Sequence, residues 1–203
     1  WQNNKIQPGD IRYKDVNGDG KVNFDDEVPI GFSQVPEKTF GLSMVLQFKG
    51  FSASVLFQGV DNVSVNYTRR YTQAFYDANP ASAVEYLINS WTPERYAAGL
   101  PIVFPRFSLG TNGGAPNNYQ SSDFFTVDAS YIRLKNAELG YTFSGSRLKK
   151  VGFSSIRVFV NGNNLVTWSN LFPGVDPESP PTATNFEPYP LVRTINTGIN
   201  VNF

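Results

Sequence analysis

The chain contains no cysteine and no histidine. Without Cys there is no disulfide framework, no zinc–thiolate site and no thiol nucleophile. Without His there is no imidazole general base, no His-based triad and no imidazole metal ligand. A two-carboxylate mechanism or a Ser–Lys pair stays formally open. Charge is scarce as well: 17% of the 203 residues are charged, against about 25% in a typical soluble domain. The 17 basic and 17 acidic residues cancel, so there is no basic field for nucleic-acid phosphates and no nucleic-acid partner is expected. No apolar run approaches the ~18 residues of a membrane-spanning helix. The N-terminus, Trp1-Gln-Asn-Asn-Lys5, has no initiator Met and no signal-peptide pattern, which fits a mature product or part of something longer.

Aromatic residues are plentiful, at 15%, and the dominant pattern is period two. From Lys38 to Lys49, the residues Phe40, Leu42, Met44, Leu46 and Phe48 share one face, and Thr39, Gly41, Ser43, Val45 and Gln47 the other. Phe51, Ala53, Val55 and Phe57 repeat the pattern across a two-residue link, Lys49-Gly50, which predicts a tight hairpin. Further strands are predicted at Ser130 to Phe143, Phe153 to about Val166, and Ile195 to Phe203. Arg133 and Lys135 fall on the apolar parity of the third strand.

The second face is made mostly of Ser, Asn, Gln and Gly rather than Lys and Glu. That composition suits the wet interior of a membrane barrel whose apolar face meets lipid, although a soluble sandwich also alternates. Link lengths alternate too: Lys49-Gly50 and 144–152 are short, whereas 61–129 and 167–192 are long. Short periplasmic turns and long extracellular loops follow that rule. In this arrangement strands one, three and five descend, and Arg133 and Lys135 lie near the top of a descending strand, at or above the headgroups. Five strands do not close a barrel and open edges are not tolerated in lipid, so a barrel reading makes the chain a C-terminal segment. The expected fold class is all-β: the last five or so antiparallel strands of a large plugged transmembrane barrel. Residues 1–37 form an extracellular loop region and 38–203 the strands.

Residues 15 to 26 fit a twelve-residue calcium loop. Asp15, Asn17 and Asp19 take positions one, three and five; Gly20 takes position six; Lys21 offers its backbone carbonyl; Asn23 sits at the often water-mediated position; Asp26 closes the loop. Asp reaches less far than the usual Glu, and no helices obviously flank the loop. The alternative is a solvated Asx-rich turn without metal. The expected role of Ca2+ is to brace an exposed loop, not catalysis.

The ordered tags along the chain resemble one family. They are Gly9-Asp-Ile-Arg-Tyr-Lys-Asp-Val-Asn-Gly-Asp-Gly-Lys21, Gly41 onward through Lys49-Gly-Phe51, Phe57-Gln-Gly59, Trp91-Thr-Pro-Glu94 and Pro105-Arg106. Ser130-Tyr-Ile-Arg-Leu-Lys-Asn136, Leu139-Gly-Tyr-Thr142, Asn163-Asn-Leu165, Gly174-Val-Asp-Pro-Glu178, Tyr189-Pro190 and the terminal Phe203 follow. Together they resemble the C-terminal part of a SusC/RagA-like TonB-dependent outer-membrane transporter. The resemblance implies a bacterial outer-membrane location and import of glycan fragments or peptides. It implies two partners, a SusD-like surface lipoprotein and TonB, which pulls on an N-terminal plug absent from these residues. It implies a 22-stranded plugged barrel and no enzyme activity.

Other residues carry weaker expectations. Asn79 and Pro80 are a plausible cap and first position of a short helix near 80–90. Trp91, Tyr96, Phe104, Phe107 and Tyr119 are candidates for substrate stacking, or for packing the loop or meeting a partner. Phe48, Phe51, Tyr141, Phe143 and Phe153 cluster at the short turns as an interfacial girdle would. Lys149-Lys150 reads as a solvated turn face, and Phe203 as a terminal assembly signal. The neighbouring carboxylates Asp25, Asp26 and Glu27 read as solvated or metal-bound rather than as acid–base catalysts. A soluble calcium-braced β-sandwich that binds carbohydrate is the alternative function, and a two-carboxylate glycosidase a third.

Overall fold

The computed structural model describes residues 6–67, 85–107, 116–172, 174–178 and 191–203. Five long strands form one antiparallel sheet: β1 (Lys38–Phe48), β2 (Phe51–Asp61), β5 (Tyr131–Ser144), β6 (Ser155–Ser169) and β7 (Thr194–Asn202), in the spatial order β1-β2-β5-β6-β7. Short strands β3 (Ser64–Asn66) and β4 (Thr126–Asp128) pair separately. The predicted strands are all present, with ends displaced by a few residues.

The hairpin between β1 and β2 turns in two residues, Phe48 standing opposite Phe51. Lys49 and Gly50 both take positive φ, 46° and 90°, the mirror-image turn that matches strand twist. A Cβ on Gly50 would sit 2.8 Å from the Thr142 carbonyl, so only glycine fits there. The link from β5 to β6 carries a one-turn helix, written α2 (Ser146–Lys150) below.

Pairing register aligns the apolar positions into rows across the whole sheet. Phe48, Phe51, Tyr141, Val158 and Ile199 form one row, and Leu46, Ala53, Leu139 and Val160 the next. The chain leaves this face uncovered: Phe40 is 44% exposed, Val158 42% and Ile199 66%. A soluble sandwich would converge these side chains on a second layer, and here they diverge outward. β1 is exposed along its entire length.

One expectation is corrected. The register slips between Leu134 and Asn136 against β6, and between Leu56 and Phe57 against β2. Lys135 is therefore the extra residue of a β-bulge, and the parity of β5 reverses at it. Ile132 and Leu134 join the apolar face, opposite Trp168 and Val166. Arg133 turns to the polar face and is 2% exposed. The misfit at Arg133 and Lys135 thus comes from a register event, not from their height on the strand.

The chain divides into two compact units, one made of Trp1–Gly31 with Asn66–Val127 and the other of Phe32–Val65 with Asp128–Phe203. The first has its own small core of Tyr67, Leu87, Phe104 and Phe125. It contains α1 (Pro93–Ala97), capped by Thr92, whose side chain accepts from the Arg95 N–H. Where a helix is predicted near 80–90, residues Glu85–Asn89 form a 3-10 turn, closed by the Ser90 hydroxyl on the Leu87 carbonyl. Asn79 and Pro80 lie outside the described residues. Cap reasoning applied to Thr92-Pro93-Glu94 finds the helix that is present.

Candidate functional site

Three polar clusters stand out, each joining residues distant in sequence. In the first unit, Asp10 accepts from Arg106 Nε at 2.5 Å and from Asn118 Nδ2 at 2.8 Å. The Asn118 side-chain oxygen accepts from the Ile11 N–H at 2.9 Å, and Asn117 Nδ2 donates to the Ile11 carbonyl. The Asp10 side chain is 3% exposed, and Asn118 is fully buried. Burial alone raises the Asp10 carboxyl, but Arg106, the Gln7 N–H and Asn118 more than offset it, so its pKa lies below the ordinary value. Burial also pushes the nearby Tyr13 phenol up to about 12, so it stays a donor, to the Asn117 carbonyl at 2.7 Å. Trp91 stacks over Gly9, whose φ is +88°, and a Cβ there would collide with the indole ring.

The second cluster is on the polar face of the sheet. Arg133 donates to Thr167 Oγ1, Asp176 Oδ1 and Glu178 Oε1, each at 2.8 Å. Lys135 reaches the same Glu178 at 2.5 Å. The Asp176 oxygens also accept the N–H groups of Glu178 and Leu191, both at 2.9 Å. A cavity of about 490 Å³ adjoins this cluster, with Gln58, Val60, Val63, Tyr131 and Glu178 among its lining residues. Further along the same face, Arg157 pairs with Glu138 at 2.5 Å, followed by amide and hydroxyl contacts such as Asn136 to Asn163 and Asn196 to Asn161. Carboxylates locked to guanidinium groups are poor acid–base catalysts and good wall material.

The third cluster is the acidic loop. Asp15 accepts the N–H groups of Gly18 and Gly20, and Asp26 those of Val16, Asn17 and Asn23. Asn17 and Asp19 each accept an N–H two residues on. The Asp26 pKa is lowered, first by the Asn23 N–H. Asn23 caps the 3-10 turn Phe24–Asp26. Among the described residues, no group of three or more acidic side chains is placed to hold a metal.

No family model matches the chain. Two curated relatives, TonB-dependent receptors P26 and P3 of Formosa agariphila, are 30% identical over 205 residues and 29% over 208. The alignments cover 96% and 97% of this chain, and 20% and 19% of those proteins. The solved structure of the RagAB peptide transporter superposes with a TM-score of 0.63 at 25% identity, over 90% of this chain and 19% of that one. The RagAB peptide importer in its closed-closed state superposes with a TM-score of 0.65 at 23% identity, over the same shares. Along nearly its whole length this chain is similar to one segment of TonB-dependent receptors and of the RagAB transporter. It spans about one fifth of the length of the curated relatives it matches.

In the structure the tags that carry the resemblance prove to be contact partners. The Gly9-Asp10, Trp91 and Pro105-Arg106 tags meet in the first cluster, and the tag around Arg133 meets Gly174-Val-Asp-Pro-Glu178 in the second. Tyr189 and Pro190 lie outside the described residues. Of the five stacking candidates, Tyr96 and Phe107 are 71% and 37% exposed, while Trp91 and Tyr119 are half-buried. Phe104 is 4% exposed and packs edge-on against Phe124 at 6.2 Å, so its ring serves the unit's core and presents almost no surface to a ligand. Asp10, Asn118, Arg133 and Asp176 were not candidates by sequence. The one local signal for Asp10, Arg133 and Asp176 is a charge inside a tag with no alternation to explain it, and Asn118 lies in no tag.

Proposed function

We propose that this chain forms part of the wall and surface loops of an outer-membrane barrel that imports peptides or glycan fragments. TonB would drive the import, and a SusD-like surface lipoprotein would close over the barrel. RagAB is a peptide importer, which inclines the reading toward peptides. The observation that carries it is the uncovered apolar sheet face, backed by a polar face of Asn, Ser and Thr contacts around internally paired charges. Lipid and lumen are the two solvents that suit such a sheet. The outer strands β1 and β7 would pair with strands of the same receptor, because unpaired edges are not tolerated in hydrocarbon. The loops joining β2 to β5 and β6 to β7 would face the cell exterior, and Phe203 would serve as the terminal assembly signal.

The acidic loop is read as a hard-cation site. Asp15 and Asp26 open and close the twelve-residue loop, and a hard cation held between them would offset the repulsion of their charges. The Asp19 carboxylate, the Asn17 and Asn23 amide oxygens and the Lys21 carbonyl are the remaining candidate donors, oxygen types that Ca2+ accepts. When bound, Ca2+ would cross-brace the loop ends.

The test uses cysteine accessibility, since the chain has no Cys of its own. Val158→Cys and Asn161→Cys, made singly in the full-length receptor, are exposed in intact membranes to a charged, water-soluble maleimide. Asn161→Cys is expected to react and Val158→Cys to be protected until detergent is added. Equal labelling of both positions by the aqueous reagent overturns the reading.

A further inference from the structure

The sheet is electrically uneven along its strands. Glu37, Asp61, Asp128, Asp176 and Glu178 all lie at the end of the long links, or in those links beside it. The short-link end holds Lys49, Arg147, Lys149 and Lys150, all exposed and in none of the ion pairs among the described residues. No acidic residue occurs between 139 and 175, between 38 and 60, or after 191. The carboxylate closest to this end in sequence, Glu138, is held by Arg157.

These cations are placed at one level rather than scattered. Lys49 is the first residue of the two-residue hairpin turn, with its ammonium 5.2 Å from the centre of the Phe48 ring. Arg147, Lys149 and Lys150 come from α2 in the next link. Between the two links is an open cavity of about 800 Å³, with Lys49, Tyr141, Phe143, Arg147 and Ile156 in its lining. Tyr141 lies edge-on to Phe51 and Phe143, at 4.5 and 4.7 Å, so aromatic rings border the cations where the apolar face ends.

We propose that this cleft binds the phosphate-bearing headgroup of an anionic phospholipid. Rings at the hydrocarbon boundary, cations one step further out and no competing carboxylate are what such a lipid would meet. Continuity with the uncovered apolar face supplies the seat for its acyl chains. A soluble acidic protein would find the charges but would have no use for the adjoining rings. The proposal rests on the membrane reading above, and the experiment separates the two.

The full-length receptor is reconstituted into vesicles of phosphatidylethanolamine alone or mixed with phosphatidylglycerol, re-extracted, and its retained lipid is counted by native mass spectrometry. The parent is expected to retain phosphatidylglycerol preferentially. The combined variant Lys49→Gln, Arg147→Gln, Lys149→Gln, Lys150→Gln is expected to lose that preference by about tenfold or more, each cation near an anionic surface being worth several-fold. A heat-modifiable gel band checks that the variant is folded, and Lys38→Gln, at the opposite end, is expected to keep the preference. Insertion with no phosphatidylglycerol preference, or an unchanged preference in the variant, overturns the headgroup site alone. A polyglutamate peptide held by the parent and lost by the variant, with lipid retention unchanged, assigns the surface to a protein and also overturns it. Failure to insert into either vesicle overturns the membrane reading with it.

Discussion

Replacing Arg133 by Ala removes the cation at the centre of a cluster that is almost dry. The side chains of Arg133 and Asp176 are 3% and 5% exposed. Breaking a buried pair by deleting one partner typically costs about 3–5 kcal/mol, because the other charge stays buried. Here Asp176 keeps two backbone N–H donors and Glu178 keeps Lys135, which places the loss near the lower bound, about 3 kcal/mol. That corresponds to roughly a hundredfold in a local opening equilibrium. The assay is hydrogen exchange at the Glu178 and Leu191 amides, which both donate to Asp176, in the full-length receptor. Exchange there is expected to accelerate about a hundredfold, and the Arg133→Met, Asp176→Leu double variant is expected to recover much of the loss. Acid adds a check of sign. Burial raises the Asp176 carboxyl, but the two N–H groups and Arg133 outweigh it, leaving its pKa below the ordinary 3.8. Such a group contributes stability that is complete above its unfolded pKa and lost as pH falls through its folded one. Parent and Arg133→Ala should therefore converge in stability only below about pH 4. Unchanged exchange in a folded Arg133→Ala receptor refutes the reasoning.

Gly9→Ala places a methyl in the Trp91 indole at a φ of +88°, and a loss of about 2–3 kcal/mol in denaturant unfolding is expected. Asp10 also has a lowered pKa, so its contribution fades as pH falls below 3.8; Asp10→Asn should lower stability at neutral pH and flatten the acid limb of a thermal-stability profile. Asp15→Ala should lower stability more with calcium present than with chelator, where only its two backbone hydrogen bonds are lost, and an equal loss in both would argue against bound metal.

Period-two alternation determined the strands and their apolar face. That pattern depends on side-chain direction, a property of each strand alone. The Lys49-Gly50 turn was legible for a similar reason, since two residues between alternating runs leave few geometries. Arg133 marks where local reading stops. A bulge is a relation between two strands, so no pattern within 130–143 announces that parity reverses at Lys135. The same holds for Phe104, whose ring reads as a ligand platform in sequence and is interior in space.

What the amino-acid sequence determined by itself is therefore the kind of sheet, its two faces and the family that its tags resemble. Only the tertiary structure decided that Asp10 meets Arg106 and Asn118, and that Arg133 meets Asp176 and Glu178. The partners are 43 to 108 residues apart. Their meeting depends on chain closure and register, and those are set by the packing of the whole unit rather than by any stretch within it.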